Sequence, residues 1–227
     1  AAAAPRPGPG LTGGVAVRLV LASNNAKKLS ELQALLGGLA LELVPQGALG
    51  IPEAEEPHGT FIENALAKAR HAAAASGGAA LADDSGVCVD ALGGAPGVIS
   101  AHYGGLVAPL PDREATRRAQ DARNNERLLR ELSAHTAPEG RRAFFLSTLV
   151  AVRHAADPQP LVAVGRWPGQ ILSAPQGTDG FGYDPLMFIP DLGRTVAELD
   201  AATKNAHSHR ARAMAQLLQQ LHEVWGL

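Results

Sequence analysis

The stretch "LADDSGVCVD", Leu81 to Asp90, decides how the chain is read. Leu81, Val87 and Val89 are apolar, and Ala82 and Cys88 are small, so its flanks read as a buried strand. Two adjacent carboxylates, Asp83 and Asp84, stand in the middle, followed by Ser85 and Gly86. A buried carboxylate is costly without a partner. Neighbours in a strand point to opposite faces, so both acids reach one cleft only if the backbone bends, and Ser85-Gly86 is the place for that bend. Locally, a turn cap and a metal carboxylate are equally good readings. Magnesium suits the second, because it keeps several waters and takes one or two carboxylates plus substrate phosphates. A second carboxylate is on offer in "PEAEEP", as Glu53, Glu55 or Glu56.

Working outward, "VAVRLVLAS" (residues 15–23) reads as a strand and is followed by polar "NNAKK". Leu29, Leu32, Leu35 and Leu36 then recur at helical spacing, with Gly37-Gly38 as the stop. "LALELVP" alternates like a strand. Thr60 opens a second helix through the capping box "TFIE", with Glu63 reaching back to the cap. Ile62, Ala65, Leu66, Ala69 and Ala73 form its expected apolar face, and Gly77-Gly78 ends it.

Beyond the acids, "GGAPGVISAHYGG" is a loop and residues 112–133 read as a helix, with Ala115, Ala119, Leu128, Leu129 and Leu132 inward. "RRAFFLSTLVAVRH" and "LVAVGRW" read as strands, and "GQILS" as a shorter third. A last helix starts near Ser208, with Met214, Leu217, Leu218, Leu221, Val224 and Trp225 at helical spacing. Strands and helices mix irregularly, which predicts an α/β fold with a mixed sheet. One domain is expected over residues 15–227, behind a disordered Pro/Gly tail, residues 1–14.

The chain has 227 residues, 46% of them hydrophobic, enough for a sizeable core. Its net charge of −2 argues against a nucleic-acid partner. No apolar run approaches the roughly 20 residues that span a bilayer, and the first residues lack the apolar core of a secretory signal. Cys88 is the single cysteine. That excludes an internal disulfide, fits a reducing cytoplasm and argues against a cysteine zinc site.

Three further segments carry chemistry. In "ASNNAKKLSEL" a strand feeds a helix, a geometry that presents backbone N–H groups and a helix N-terminus to an anion. Ser23 and Asn25 can bond phosphate oxygens and Lys28 adds a point charge, although the segment is not a P-loop. The alternative is an ordinary polar turn. In "GFGYDP", Phe181 lies between glycines with room for a stacked base, and Asp184 can accept from ring N–H groups. The alternative is a turn with core aromatics. In "KNAHSHRARA", Ser208 caps a helix and places His209 and Arg210 in its first turn. Cations are disfavoured there, so Arg210 and nearby Lys204 imply an anionic or carbonyl-rich partner.

Taken in order, "LASNNAKKLSEL", "TFIENALAKA", "ADDSGVCVDALGGAPGVISAHYGG", "GFGYDP" and "AELDAATKNAHSHRARA" resemble the blocks of the inosine triphosphate pyrophosphatase family. The resemblance runs from about Leu19 to the last helix. It implies a homodimeric α/β fold with an elongated, twisted mixed sheet, flanking helices and two lobes around a central cleft. It implies magnesium-dependent hydrolysis of purine nucleoside triphosphates such as ITP, dITP and XTP to the monophosphate and pyrophosphate. By motif position, Ser23, Asn24, Asn25, Ala26, Lys27 and Lys28 would take the triphosphate. Asp84 would be the catalytic and metal carboxylate, Glu56 a second metal ligand and Ser85 a substrate contact. Phe181, Gly182, Tyr183 and Asp184 would hold the base, with Lys204, His209 and Arg210 completing its pocket. Asn24 stands where the family often has Gly, and His102 where it often has Arg. Rival readings are a Maf-like pyrophosphatase of other modified nucleotides and a non-catalytic nucleotide sensor. The acids speak against the sensor.

Overall fold

No bend separates Asp83 from Asp84. Both lie in an unbroken strand, Ala79–Val89, and every residue from Ala80 to Val89 has an antiparallel partner between Val152 and Ala143. Pairing continues through the expected turn, with Ser85 opposite Ser147 and Gly86 opposite Leu146. Strand alternation therefore holds, and the two carboxylates point to opposite faces.

The computed structural model describes residues 17–36 and 41–227. The strands are β1 (Val17–Leu21), β2 (Leu41–Pro45), β3 (Ala79–Val89), β4 (Arg142–Val152), β5 (Leu161–Ile171), β6 (Met187–Ile189) and β7 (Arg194–Thr195). The helices are α1 (Ala26–Leu36), α2 (Phe61–Ser76), α3 (Arg113–Glu131), α4 (Ala201–His207) and α5 (His209–Gln220). The strands form one open mixed sheet in the order β2-β1-β3-β4-β5-β6-β7. β1 runs parallel to both β2 and β3, and the remaining neighbours are antiparallel. The tail at 1–14, the expected strand start at Val15 and the Gly37-Gly38 stop lie outside the described residues. "GQILS" is not a strand of its own: Gly169 to Ile171 extend β5. β6, β7 and α4 are too short to leave a periodic signal in the sequence.

Helix α2 covers one face. Ala65, Ala69, Ala72 and Ala73 pack on Val20, Ala80, Ala82, Val150 and Val152. Thr60 caps it, its hydroxyl accepting the Glu63 N–H at 3.2 Å. Glu63 does not reach the Thr60 backbone; its carboxylate takes the Thr60 hydroxyl instead, at 2.6 Å. Ile62, expected inward, is 47% exposed. The buried stripe runs through Phe61, Asn64, Ala65, Lys68, Ala69, Ala72 and Ala73, so a lysine lies within the alanine face.

Helices α1 and α5 cover the other face. Leu32, Leu36, Ala213, Met214 and Leu217 meet Leu19, Leu21, Leu81, Leu149 and Ala163. Helix α5 lies directly on β5 at Gly165, where a Cβ would fall 1.8 Å from the His209 carbonyl oxygen. A third cluster joins Val87, Val89, Phe145 and Trp167 to Leu128 and Leu132 at the end of α3. Each fully buried Leu or Val contributes roughly 1.5–3 kcal/mol, which gives the middle of the sheet a firm frame for buried charge.

The connections fix where a ligand can enter. The chain leaves β1 through α1 towards β2, then returns through α2 to β3, with the two helices on opposite faces. The crossovers part at the carboxyl ends of β1 and β3, the switch point at which open α/β sheets bind ligands. The last contact of β1's end with β3 is the Ala22 N–H to the Leu81 oxygen, at 2.8 Å. Asp83 to Gly86 follow immediately, past the end of β1. No helix among the described residues is long and apolar enough to cross a membrane.

Candidate active site

Asp83 faces α1 and α5. It is 1% exposed, and its carboxylate meets Lys28 Nζ at 2.9 Å, Arg210 Nη2 at 3.3 Å and the Ser147 hydroxyl at 2.7 Å. The Ser85 hydroxyl also donates to it, at 3.1 Å. Burial alone pushes this carboxyl up, but Lys28 and Arg210 together hold it far below the usual carboxylate range. The first acid of the opening stretch is thus a structural anion, and its partners are two cations expected at the substrate.

Arg210 is 1% exposed and donates to Asp83, Ser85 and Glu31. Glu31 also accepts from Lys204 Nζ at 3.1 Å, and Lys204 reaches Asp184 at 2.9 Å. A continuous chain of ion pairs therefore runs Lys28–Asp83–Arg210–Glu31–Lys204–Asp184. It explains the cation in the first turn of α5: its anionic partners are Asp83 and Glu31. Glu31 is not among the residues singled out from sequence. Its only local signal is a position one turn beyond Lys28 on α1.

On this face a cleft of about 660 Å³ is lined by Asn25, Lys27, Lys28, Ser85, Phe181, Gly182, Tyr183, Asp184, Lys204, His209 and Arg210, among others. Lys204 Nζ stands 4.6 Å from the centre of the Phe181 ring and Lys27 Nζ 5.6 Å. Asp184 accepts the Phe181 N–H at 3.0 Å as well as Lys204. Burial pushes its carboxyl up, and Lys204 opposes that. Tyr183 is an anchor, 5% exposed, with its hydroxyl donating to the Ser100 carbonyl at 2.8 Å. His209 stacks on Phe145 with ring centres 5.0 Å apart, and its Nδ1 is buried without a partner among the described residues. Burial and neighbouring Arg210 hold this imidazole well below its ordinary pKa, so it is neutral at pH 7.

In the polar turn, Asn25 Oδ1 accepts from the N–H groups of Lys27 and Lys28, at 3.1 and 3.2 Å. The Asn25 N–H itself donates to the Ser23 hydroxyl at 3.1 Å. The helix N-terminus is therefore capped, and the Lys28 ammonium is the turn's main offer to an anion. Ser23, Asn24 and Ala26 are not part of the cleft wall; Asn24 packs against the turn at Gly47.

Asp84 faces α2 and stands outside that wall. Lys68 Nζ lies 3.0 Å from Asp84 Oδ1 and 3.1 Å from Glu56 Oε2, so one ammonium draws the two carboxylates together. Asp84 Oδ2 is buried and has no hydrogen-bond partner among the described residues. Burial, opposed by Lys68 and reinforced by Glu56, pushes the Asp84 carboxyl up to about 6. Lys68 was not singled out from sequence, although a lone cation within an alanine stripe was the available signal. The pair suits a hard divalent cation: two oxygen donors converge, one with an oxygen left unpartnered, and magnesium needs few protein ligands when phosphates supply the rest.

The geometry is that of an anion-handling α/β enzyme with a cleft on one face of a strand and a carboxylate pair on the other. Comparison with known proteins gives the class. The Ham1 family model matches residues 19–220, and the chain belongs to this family. It is 64% identical over 209 residues to a dITP/XTP pyrophosphatase of Methylibium petroleiphilum, covering 92% of this chain and 99% of that one. It is 57% identical to a dITP/XTP pyrophosphatase of Ralstonia nicotianae, covering 90% and 96%. The structure of a HAM1 protein from Coxiella burnetii superposes with a TM-score of 0.81 at 42% identity, covering 92% of this chain and 100% of that one.

Proposed function

We propose that this chain hydrolyses purine nucleoside triphosphates carrying a 6-oxo group, ITP, dITP and XTP, to the monophosphate and pyrophosphate, and so cleanses the nucleotide pool. The observation that carries the reading is Asp84 Oδ2, a buried, unpartnered carboxylate oxygen gathered with Glu56 by Lys68. It lies across β3 from a cleft with an aromatic floor and a cationic wall. The names of the close relatives support the same activity.

The parallel β2-β1-β3 end with α1 and α2, and the antiparallel β4–β7 end with α3, are read as two lobes. The base enters between them, against Phe181. Lys204 has three N–H groups and two engaged partners, Asp184 and Glu31, so one donor remains beside that ring. A 6-oxo group accepts this bond, whereas the 6-amino group of adenine faces it with a donor. Sites built this way discriminate by up to roughly 10⁴–10⁵. Arg210 spends four of its five N–H donors on Glu31, Asp83 and Ser85 and acts by fixing that wall.

The triphosphate then runs past the end of β1, around the free edge of β3, where Lys28 meets its oxygens. Magnesium held by Asp84 and Glu56 would offset charge on the phosphate oxygens and acidify a water. Asp84 would orient the attacking water and take its proton as the water oxygen bonds to the α-phosphorus and the bond from that phosphorus to its bridging oxygen breaks, releasing pyrophosphate. Lys68 balances the two carboxylates and favours the ionised form of Asp84 that can accept the proton. Ser23 and Asn25 shape the turn that presents Lys28. The reading includes a homodimer in the cytoplasm, which light scattering and fractionation test.

The decisive assay is pyrophosphate release with magnesium from ITP, XTP, dITP, GTP, ATP, dTTP and UTP. Fast release from the first three and slow release from ATP is the expected result. Equal rates on ATP and ITP refute the 6-oxo reading, and preference for dTTP or UTP favours the Maf-like alternative.

A further inference from the structure

Gly182 lies in the middle of the segment that carries Phe181. Its φ is +63°, and nothing stands within 4 Å of where a Cβ would be. Packing therefore does not hold this residue, and glycine has the widest backbone freedom of any residue. Yet both of its peptide planes are fixed. The Gly182 N–H donates to Asp121 Oδ2 at 2.8 Å, and its carbonyl accepts from Asn125 Nδ2 at 3.0 Å.

Both clamps come from α3, at i and i+4, one stripe of the helix. The same stripe is anchored to the frame. Asn124 bonds the Ser100 and Ala101 carbonyls at 3.2 and 3.0 Å and the Gly104 N–H at 2.8 Å, and Leu128 is fully buried one turn on. By contrast, the bonds between Phe181 and Asp184 are internal to the segment. They set its shape; where it sits is shared between the α3 bonds at Gly182, Tyr183 on the Ser100 carbonyl and Asp184 on Lys204.

We propose that Asp121 and Asn125 are positioning residues for base recognition: by clamping Gly182 from both sides they hold the Phe181 ring at the depth the purine requires. This rests on the substrate reading above. Neither residue contacts Asp84, Glu56 or Lys68, which lie across β3, so the clamp acts on nucleotide capture and not on bond cleavage. A released segment spends part of its time out of place, and apparent affinity falls by the competent fraction.

The test is steady-state ITP hydrolysis by the full chain with magnesium, with tripolyphosphate as an inhibitor that has no base. Asp121→Leu, which removes the acceptor at similar size, should raise KM about tenfold and leave kcat within about threefold. The inhibition constant of tripolyphosphate should not move. Asp121→Asn keeps an acceptor and should stay within about threefold of wild type in KM. A folded Asp121→Leu with wild-type KM overturns the proposal. So does a tripolyphosphate constant that rises in step with KM, or an Asp121→Asn as impaired as the leucine variant. Should Asp121→Leu fail to fold, Asn125→Ala removes the other half of the clamp and is read the same way. If the wild-type chain prefers another triphosphate, the substrate reading falls, and the same KM comparison on that triphosphate judges the clamp.

Discussion

Asp83 and Asp84 share one peptide bond, yet their carboxyl groups are driven in opposite directions. Asp83 is held strongly acidic by Lys28 and Arg210, whereas Asp84, with one oxygen unpartnered, is pushed up to about 6. The division follows from strand alternation alone: α5 and α1 meet one side chain, α2 the other. A permanently charged acid organises cations, and an acid near neutrality can exchange a proton.

Asp84→Asn keeps the shape and removes the proposed base. Turnover of ITP should fall by roughly 10²–10⁴ with the unfolding transition intact, measured by pyrophosphate release and circular dichroism. Near-wild-type release from a folded variant would refute the assignment.

Lys68→Met leaves Asp84 buried without its cation. Breaking such a pair costs about 3–5 kcal/mol. The loss should be larger at pH 8 than at pH 5. Without Lys68 the carboxyl is raised further, and a raised folded pKa favours the fold at low pH and is a liability as pH rises through it. Denaturant unfolding at the two pH values measures this, and a loss independent of pH would show that Lys68 does not act through Asp84.

Glu31→Gln removes the anion shared by Lys204 and Arg210. The free donor of Lys204 loses its aim, so the preference for ITP over ATP should drop about tenfold, mostly through KM. Unchanged selectivity would leave Glu31 a purely structural residue.

His209→Phe should flatten the acid limb of stability. His209 is neutral and buried, faced by Arg210, Lys204 and Lys28 and by one anion, Asp83. Its folded pKa lies below the unfolded value of about 6.5. The stability is complete above that pH and falls below it, as the unfolded chain takes up the proton, by at most about 1.4 kcal/mol per pH unit. Thermal unfolding from pH 7.5 to 5 reads the slope. An identical slope in the phenylalanine variant would assign it to other groups.

How far the sequence reaches is clear from individual residues. Helix starts at Thr60 and Ser208 are local chemistry, a hydroxyl and the N–H three residues on, and both are found there. Strand alternation is also local and separates the two acids, but the bend at Ser85-Gly86 does not exist. Glycine permits a turn, and the partner strand overrides it with paired bonds from Ala80 to Val89. Lys68, Glu31 and Asp121 are illegible for another reason. Glu31 and Asp121 sit among ordinary polar neighbours, Lys68 shows only as a lone cation in an alanine stripe, and the partners of Lys68, Glu31 and Asp121 lie 16, 179 and 61 residues away. Only the fold brings each to its partner. Capping of Lys27 and Lys28 by Asn25 is local too, and it turns an apparent nest of N–H donors into a platform for one ammonium group.

In β3, odd-numbered positions serve one side of the sheet and even-numbered positions the other. Parity is therefore a partition of surroundings: Asp83 and Ser85 share the side of Lys28 and Arg210, and Asp84 has the side of Lys68 and Glu56, which on the proposed function separates holding the nucleotide from cutting it. A one-residue insertion or a single-step slip against β4 would exchange the two carboxylates. Each aspartate would then take its charge behaviour from its new neighbours, Lys68 and Glu56 for one, Lys28 and Arg210 for the other. Substitution without slippage has the converse freedom. On the proposed function, changes at odd positions should retune which nucleotide is held, and changes at even positions how fast it is cleaved.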